Sequence, residues 1–96
     1  GFDKPDLVAP GDPIFAPRSA QAVPRPGDAR DGVDIGYSGT SQATAVVTGW
    51  ISLMLAADPQ ATSSRIRARI RDACVRPDGA DPSLWGAGWL PAPHDA

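Results

Sequence analysis

Apolar positions in this chain fall into short runs separated by Pro- and Gly-rich stretches, with one longer run near the middle. Asp6-Leu7-Val8-Ala9 reads as a short strand closed by the Pro10-Gly11 turn. Pro13 to Ala16 forms a second extended piece, and Val33 to Tyr37 a returning strand that makes a loose hairpin with the Ile14 segment. Between them, residues 17–32 hold Pro17, Pro24, Pro26, Gly27 and Gly32, which forbid a regular helix and predict a long exposed loop. Such a loop favours mobility and nicking by proteases.

The strongest helical pattern runs from Gln42 to Ala57. Ala43, Val46, Val47, Trp50, Ile51, Met54 and Leu55 surround most of its circumference, and a helix apolar nearly all round is expected to lie buried inside a larger body. Asp58-Pro59 ends it. Thr62 is a good N-cap for a second helix over Ser63 to Cys74, with Ile66, Ile70, Ala73 and Cys74 on one stripe and Arg65, Arg67, Arg69 and Arg71 flanking the other side. The remaining residues, 76–96, are turn-rich, with Trp85, Gly86, Gly88 and Trp89 as docking points. There is no internal repeat.

Composition narrows the classes of function. With 42% hydrophobic residues the chain is no disordered polyelectrolyte, while eleven Pro and ten Gly call for irregular segments. A net charge of −2 gives no general attraction to nucleic acid or anionic membrane. The Arg-rich helix lacks an aromatic stacking platform and reads as a solvated face. The apolar stretch from Ala45 to Ala57 is broken by Thr48, Gly49 and Ser52 and is too short to span a bilayer. Neither nucleic acid nor membrane is therefore an expected partner. Cys74 is the only cysteine, so no intrachain disulfide forms, and with no base nearby it reads as a small buried hydrophobe. Trp50 and the two later Trp residues read as core and docking groups rather than a ligand cage. Gly1 to Pro5 carry no apolar signal-peptide region and no initiating Met, so the chain reads as a portion of a longer polypeptide.

The chemically informative segment is Ser38-Gly39-Thr40-Ser41-Gln42-Ala43-Thr44. It joins a predicted strand to the apolar helix. A Ser at that junction sits where unpaired N–H groups and the helix dipole favour negative charge, so an oxyanion forming beside it would find donors in place. Gly39 permits a sharp backbone path just before it. Thr40 and Ser41 are equally ordinary helix caps, and local physics leaves both roles open.

The wider pattern bears on that choice. Lys4-Pro5-Asp6-Leu7-Val8-Ala9-Pro10-Gly11, then a hairpin, then Ser-Gly-Thr-Ser-x-Ala-Thr opening an apolar helix, resembles the subtilisin-like serine proteases, or subtilases. Pro59, Thr62 and Ile66-Arg67 resemble the family's following helix, and Gly86-Ala87-Gly88 its closing Gly-x-Gly segment. The resemblance covers residues 4–90. It implies an α/β, subtilisin-like parallel-sheet fold of which residues 1–96 are the C-terminal part. Strand and hairpin would occupy 3–38, the nucleophile turn and helix 39–57, the second helix 62–74 and the tail 76–96.

The resemblance also implies a serine endopeptidase that hydrolyses peptide bonds with an Asp-His-Ser triad, in that chain order, with Ser41 as nucleophile. The Ser41 N–H would contribute to the oxyanion hole and an Asn from an earlier segment would supply the other donor. This chain contains no Asn. The triad Asp and His and that Asn are therefore expected on the N-terminal part of the same protease, its necessary partner beside a polypeptide substrate. The chain alone should be inactive. His94, the only His, lies in a Pro-flanked tail and reads as solvent-exposed; Asp31 and Asp34 read as solvated loop residues. No cofactor is expected in this chain, and any structural calcium belongs to the missing part. The resemblance favours a secreted or extracytoplasmic setting. The chain departs from the family pattern at Gln42, where Met is usual, and at Ala45-Val46, where Pro-His is usual. The alternative is a non-catalytic pseudoprotease or interaction module on the same scaffold.

Overall fold

The computed structural model describes residues 4–21 and 34–91. Five elements occur in the order β1 (Ile14–Pro17), β2 (Asp34–Tyr37), α1 (Thr40–Ala57), α2 (Ser63–Ala73) and α3 (Pro82–Trp85). The two strands pair antiparallel, with Ile14 opposite Tyr37 and Phe15 opposite Gly36. Gly36 has no side chain, so the Phe15 ring covers it: a Cβ there would lie 2.6 Å from the ring. The expected hairpin is thus present. Residues 22–32 of the predicted loop, and Asp31 and His94, lie outside the described residues.

The expected strand at residues 6–9 shrinks to a single parallel bridge, Val8 to Trp89, while Trp89 also bridges Val75 in the antiparallel sense. Val8 N–H donates to the Gly88 carbonyl at 2.9 Å and Leu90 N–H to the Val8 carbonyl at 2.7 Å. Pro5 and Pro10 bracket this stretch and have no N–H to give, so pairing cannot extend through them. Beyond this one bridge, no parallel sheet forms among the described residues. Parallel strands need neighbours and cover on both faces, and the described residues supply Val8 a neighbour on one side only.

α1 begins at Thr40, two residues earlier than the pattern predicts, because Gly39 serves as its N-cap. It differs from expectation in burial as well: none of its residues is buried, and Leu53 is 56% exposed. Its cover here comes from α2 and from the segments around Leu7 and Leu90, which reach one side of it. Trp50 Nε1 donates to the Pro91 carbonyl at 2.6 Å and ties α1 to the end of the described chain. Thr44, Thr48 and Ser52 each donate a side-chain hydroxyl to the carbonyl four residues back, at 2.8, 3.0 and 3.1 Å. This polar stripe needs no outside partner for its donors.

α2 follows its expected bounds closely, ending at Ala73 with Cys74 as its C-cap. Thr62 Oγ1 accepts from Arg65 N–H at 3.2 Å. Ile66 and Ile70 are buried and, with the fully buried Leu90, form the core against which Val47, Trp50, Ile51 and Met54 pack. Arg65 and Arg69 are not merely solvated: both guanidinium groups reach Asp58 Oδ2, at 3.2 and 3.5 Å, which pins the α1–α2 connection. The turn-rich tail contains one helical turn, α3. Pro82 occupies its first turn and Asp81 caps it, accepting from Ser83 N–H at 2.9 Å and from Ser83 Oγ at 2.8 Å.

Candidate functional site

β2 leads directly into the candidate turn. Gly39 N–H donates to the Gly11 carbonyl at 2.8 Å, so the Pro10-Gly11 turn lies against the start of α1. The approach is close: a Cβ on Gly11 would stand 2.7 Å from the Gly39 carbonyl oxygen and 3.2 Å from Ala43 Cβ. One residue further along the first segment and one residue back on the second, the Ser38 hydroxyl donates to the Asp12 carboxylate. The chain reaches the helix through Gly39 at φ 152° and ψ 174°, a positive φ that residues with side chains rarely adopt. Ala43 N–H to the Gly39 carbonyl, at 3.2 Å, is the first hydrogen bond of α1.

Ser41 therefore occupies the second position of α1, and it is exposed. No side chain caps this helix and no acidic residue stands in its first turn. The capping role open to Thr40 and Ser41 is thus not taken up, and the Ser41 hydroxyl makes no hydrogen bond among the described residues. The first-turn N–H groups are left for an outside acceptor, with the positive end of an 18-residue helix behind them. Chemically, the turn can present a hydroxyl beside donors suited to a developing negative charge.

A broad groove of roughly 790 Å³ opens beside the turn, with Gly11, Asp12, Ser38, Gly39, Thr40 and Trp89 among its walls. Ser41 does not line it. No His is present among the described residues to take the Ser41 proton. Asp34 stands at the start of β2, opposite Pro17 and at the far end of the strand from Ser41. Among the described residues no cluster of His, Cys, Asp or Glu could hold a metal ion, and no helix is long and apolar enough to cross a membrane. Cys74 is half-buried and its Sγ donates to the Ile70 carbonyl at 3.3 Å; burial pushes its thiol pKa up. The sequence pattern located Ser41 and Gly39 but not Asp12 or the close approach of Gly11. The Pro10-Gly11 turn was visible, but what it packs against was not.

Comparison with known proteins gives the same family as the motifs. The profile of the Subtilase family matches residues 1–88. Serine protease AprX of Bacillus subtilis (strain 168) is 31% identical over 91 residues, covering 92% of this chain and 21% of that protein. Subtilisin-like protease SBT3.1 of Arabidopsis thaliana is 33% identical over 75 residues, covering 78% of this chain and 9% of that protein. The chain thus spans about a fifth of one relative and about a tenth of the other. No solved structure matches it.

Proposed function

This chain belongs to the subtilase family of serine proteases, and on that premise we propose that Ser41 is the nucleophile of a peptide-bond hydrolase whose other catalytic groups lie on a preceding part of the same protease. The observation that carries this reading is the state of Ser41: exposed, in an uncapped first helical turn, with its hydroxyl unengaged.

Ser41 Oγ attacks the scissile carbonyl while a His from the other part takes its proton, and an Asp holds that His in the right tautomer. Negative charge then develops on the carbonyl oxygen. The Ser41 N–H and an Asn side chain from the other part stabilise it, helped by the α1 dipole. The His then returns its proton to the leaving amine as the peptide C–N bond breaks, and water, with the same His as base, hydrolyses the acyl-enzyme to release the acid and the Ser41 hydroxyl. Alone, this chain has no base for Ser41 and an unassisted serine hydroxyl is a poor nucleophile, so it is inactive. The parallel sheet absent here belongs, in this reading, to the preceding part, which also covers α1. Any structural calcium would be held there too.

A fluorophosphonate probe tests the proposal. The 96-residue chain should not react. The complete protease should be labelled at Ser41 and should cleave an unstructured protein. Ser41→Ala should abolish both and shift stability by no more than about 0.5 kcal/mol, because the hydroxyl caps nothing. A folded complete protein that refuses the probe would establish the pseudoprotease alternative. Cleavage by the Ser41→Ala protein would place the nucleophile elsewhere.

A further inference from the structure

We propose that Asp12 is a positioning residue for Ser41, holding the turn that carries it by accepting the hydrogen bond of the Ser38 hydroxyl. The inference rests on the reading of Ser41 as nucleophile.

Two ties cross from the Pro10–Pro13 segment to the turn. Gly11 binds through its carbonyl to Gly39 N–H at 2.8 Å, and Asp12 binds through its carboxylate to Ser38 Oγ. One hydrogen bond fixes a point and leaves the turn free to rotate about it. A second, between the residue after Gly11 and the residue before Gly39, fixes the direction in which the chain enters α1. Ser41 comes only three residues after Ser38, so a small rotation at Ser38 is carried directly to its Oγ. The Asp12 bond is charge-assisted and hence stronger than one between neutral groups. Asp12 does not act as a helix cap, since α1 has no side-chain cap hydrogen bond.

Asp12 and Ser38 are both exposed. Exposed polar pairs add little to global stability. The contact should therefore act on the geometry of the nucleophile and leave the melting temperature nearly unchanged. That combination separates a positioning role from a purely structural one.

The test uses the complete protease with five variants: Asp12→Ala, Ser38→Ala, the two combined, Asp12→Asn, and Lys4→Ala. Lys4→Ala removes an unrelated exposed ion pair with Asp6, 2.7 Å long. Active sites are titrated with a fluorophosphonate, and kcat per titrated site, KM for a peptide substrate and Tm are measured. Asp12→Ala and Ser38→Ala should each lower kcat about tenfold at unchanged KM, the cost of a misplaced nucleophile. Tm should stay within about 2 °C of the parent. The double variant should be no slower than either single one. Asp12→Asn, which keeps an acceptor oxygen, should recover most of the rate, and Lys4→Ala should match the parent. An unchanged kcat in Asp12→Ala, losses that multiply in the double variant, an Asp12→Asn as slow as Asp12→Ala, or a change confined to KM would each overturn the proposal. If Asp12→Ala fails to fold, Ser38→Ala and Asp12→Asn decide it. A labelled parent with an indifferent Asp12→Ala removes this inference alone; a folded parent that takes no probe removes the Ser41 reading with it.

Discussion

A methyl group on Gly11 has nowhere to go. It would meet the Gly39 carbonyl oxygen at 2.7 Å, and that atom is backbone at the entrance to a helix, so the contact can be relieved only by moving the turn. Gly11→Ala in the complete protease should cost about 1–3 kcal/mol by chemical denaturation, a typical overpacking penalty, and should slow probe labelling of Ser41. A variant as stable and as reactive as the parent would show that the turn yields easily. Cys74 makes a second test at this scale. Its raised thiol pKa means less thiolate at mild alkaline pH, so alkylation by iodoacetamide should be slower than for a free cysteine and should accelerate on unfolding. The place of Ser41 in the first turn of α1, the turn at Gly39 and the packing of Cys74 were legible in the sequence, because they follow from neighbours a few positions away; the role of Ser41 rests on the family resemblance, not on its own chemistry. Asp12 was not. Its meaning depends on Ser38, which only the fold brings beside it.

Elements differ in how much of themselves they carry. α2 is specified locally: an N-cap, an apolar stripe and good helix formers place it to within a residue of its expected end. Removing the cap hydroxyl by Thr62→Ala should cost about 1 kcal/mol, read as a lower denaturation midpoint of the complete protein. α3 was not foreseen in the turn-rich tail: its signal, Asp81 as N-cap followed by the proline that suits a first turn, is present, but a single turn does not register in periodicity. Its cap is sensitive to acid. The Ser83 N–H, then the Ser83 hydroxyl, hold the Asp81 carboxyl below the ordinary carboxylate range. The ionised form is thus favoured in the folded state. The stabilisation is complete above the ordinary aspartate pKa and is lost as pH falls through the lowered value. Hydrogen exchange at Leu84 and Trp85, whose N–H groups both bond the Asp81 carbonyl, should speed up relative to the core in that acid window. Asp81→Asn should flatten the response. The strand at residues 6–9 was over-read for the opposite reason: a strand exists only with its neighbours, and among the described residues Val8 bridges Trp89 alone.

At the scale of the whole molecule, the described residues bury few large side chains. Ile35, Ile66, Ile70 and Leu90 are buried, while Leu53, Val75 and Leu84 are each more than half exposed. A core this small leaves little to offset the entropy of ordering the chain, and among the described residues nothing buries the apolar side chains of α1. The isolated chain should be aggregated or partly folded, as judged by sedimentation and a broad thermal transition; a soluble monomer with a sharp melt would contradict this. The ties between remote segments also set an order of events. Ser41 is held through Gly39 by Gly11, and the stretch that leads to Gly11 is itself stitched to Gly88 and Leu90 through Val8. During synthesis, the residues that lock this arrangement emerge from the ribosome only after Ser41 has been made. Because contacts so distant along the chain close late, the hydroxyl would leave the ribosome unaimed. On the reading of Ser41 as nucleophile, a nascent chain halted before Leu90 would carry that serine without the stitching that steadies the stretch leading to Gly11.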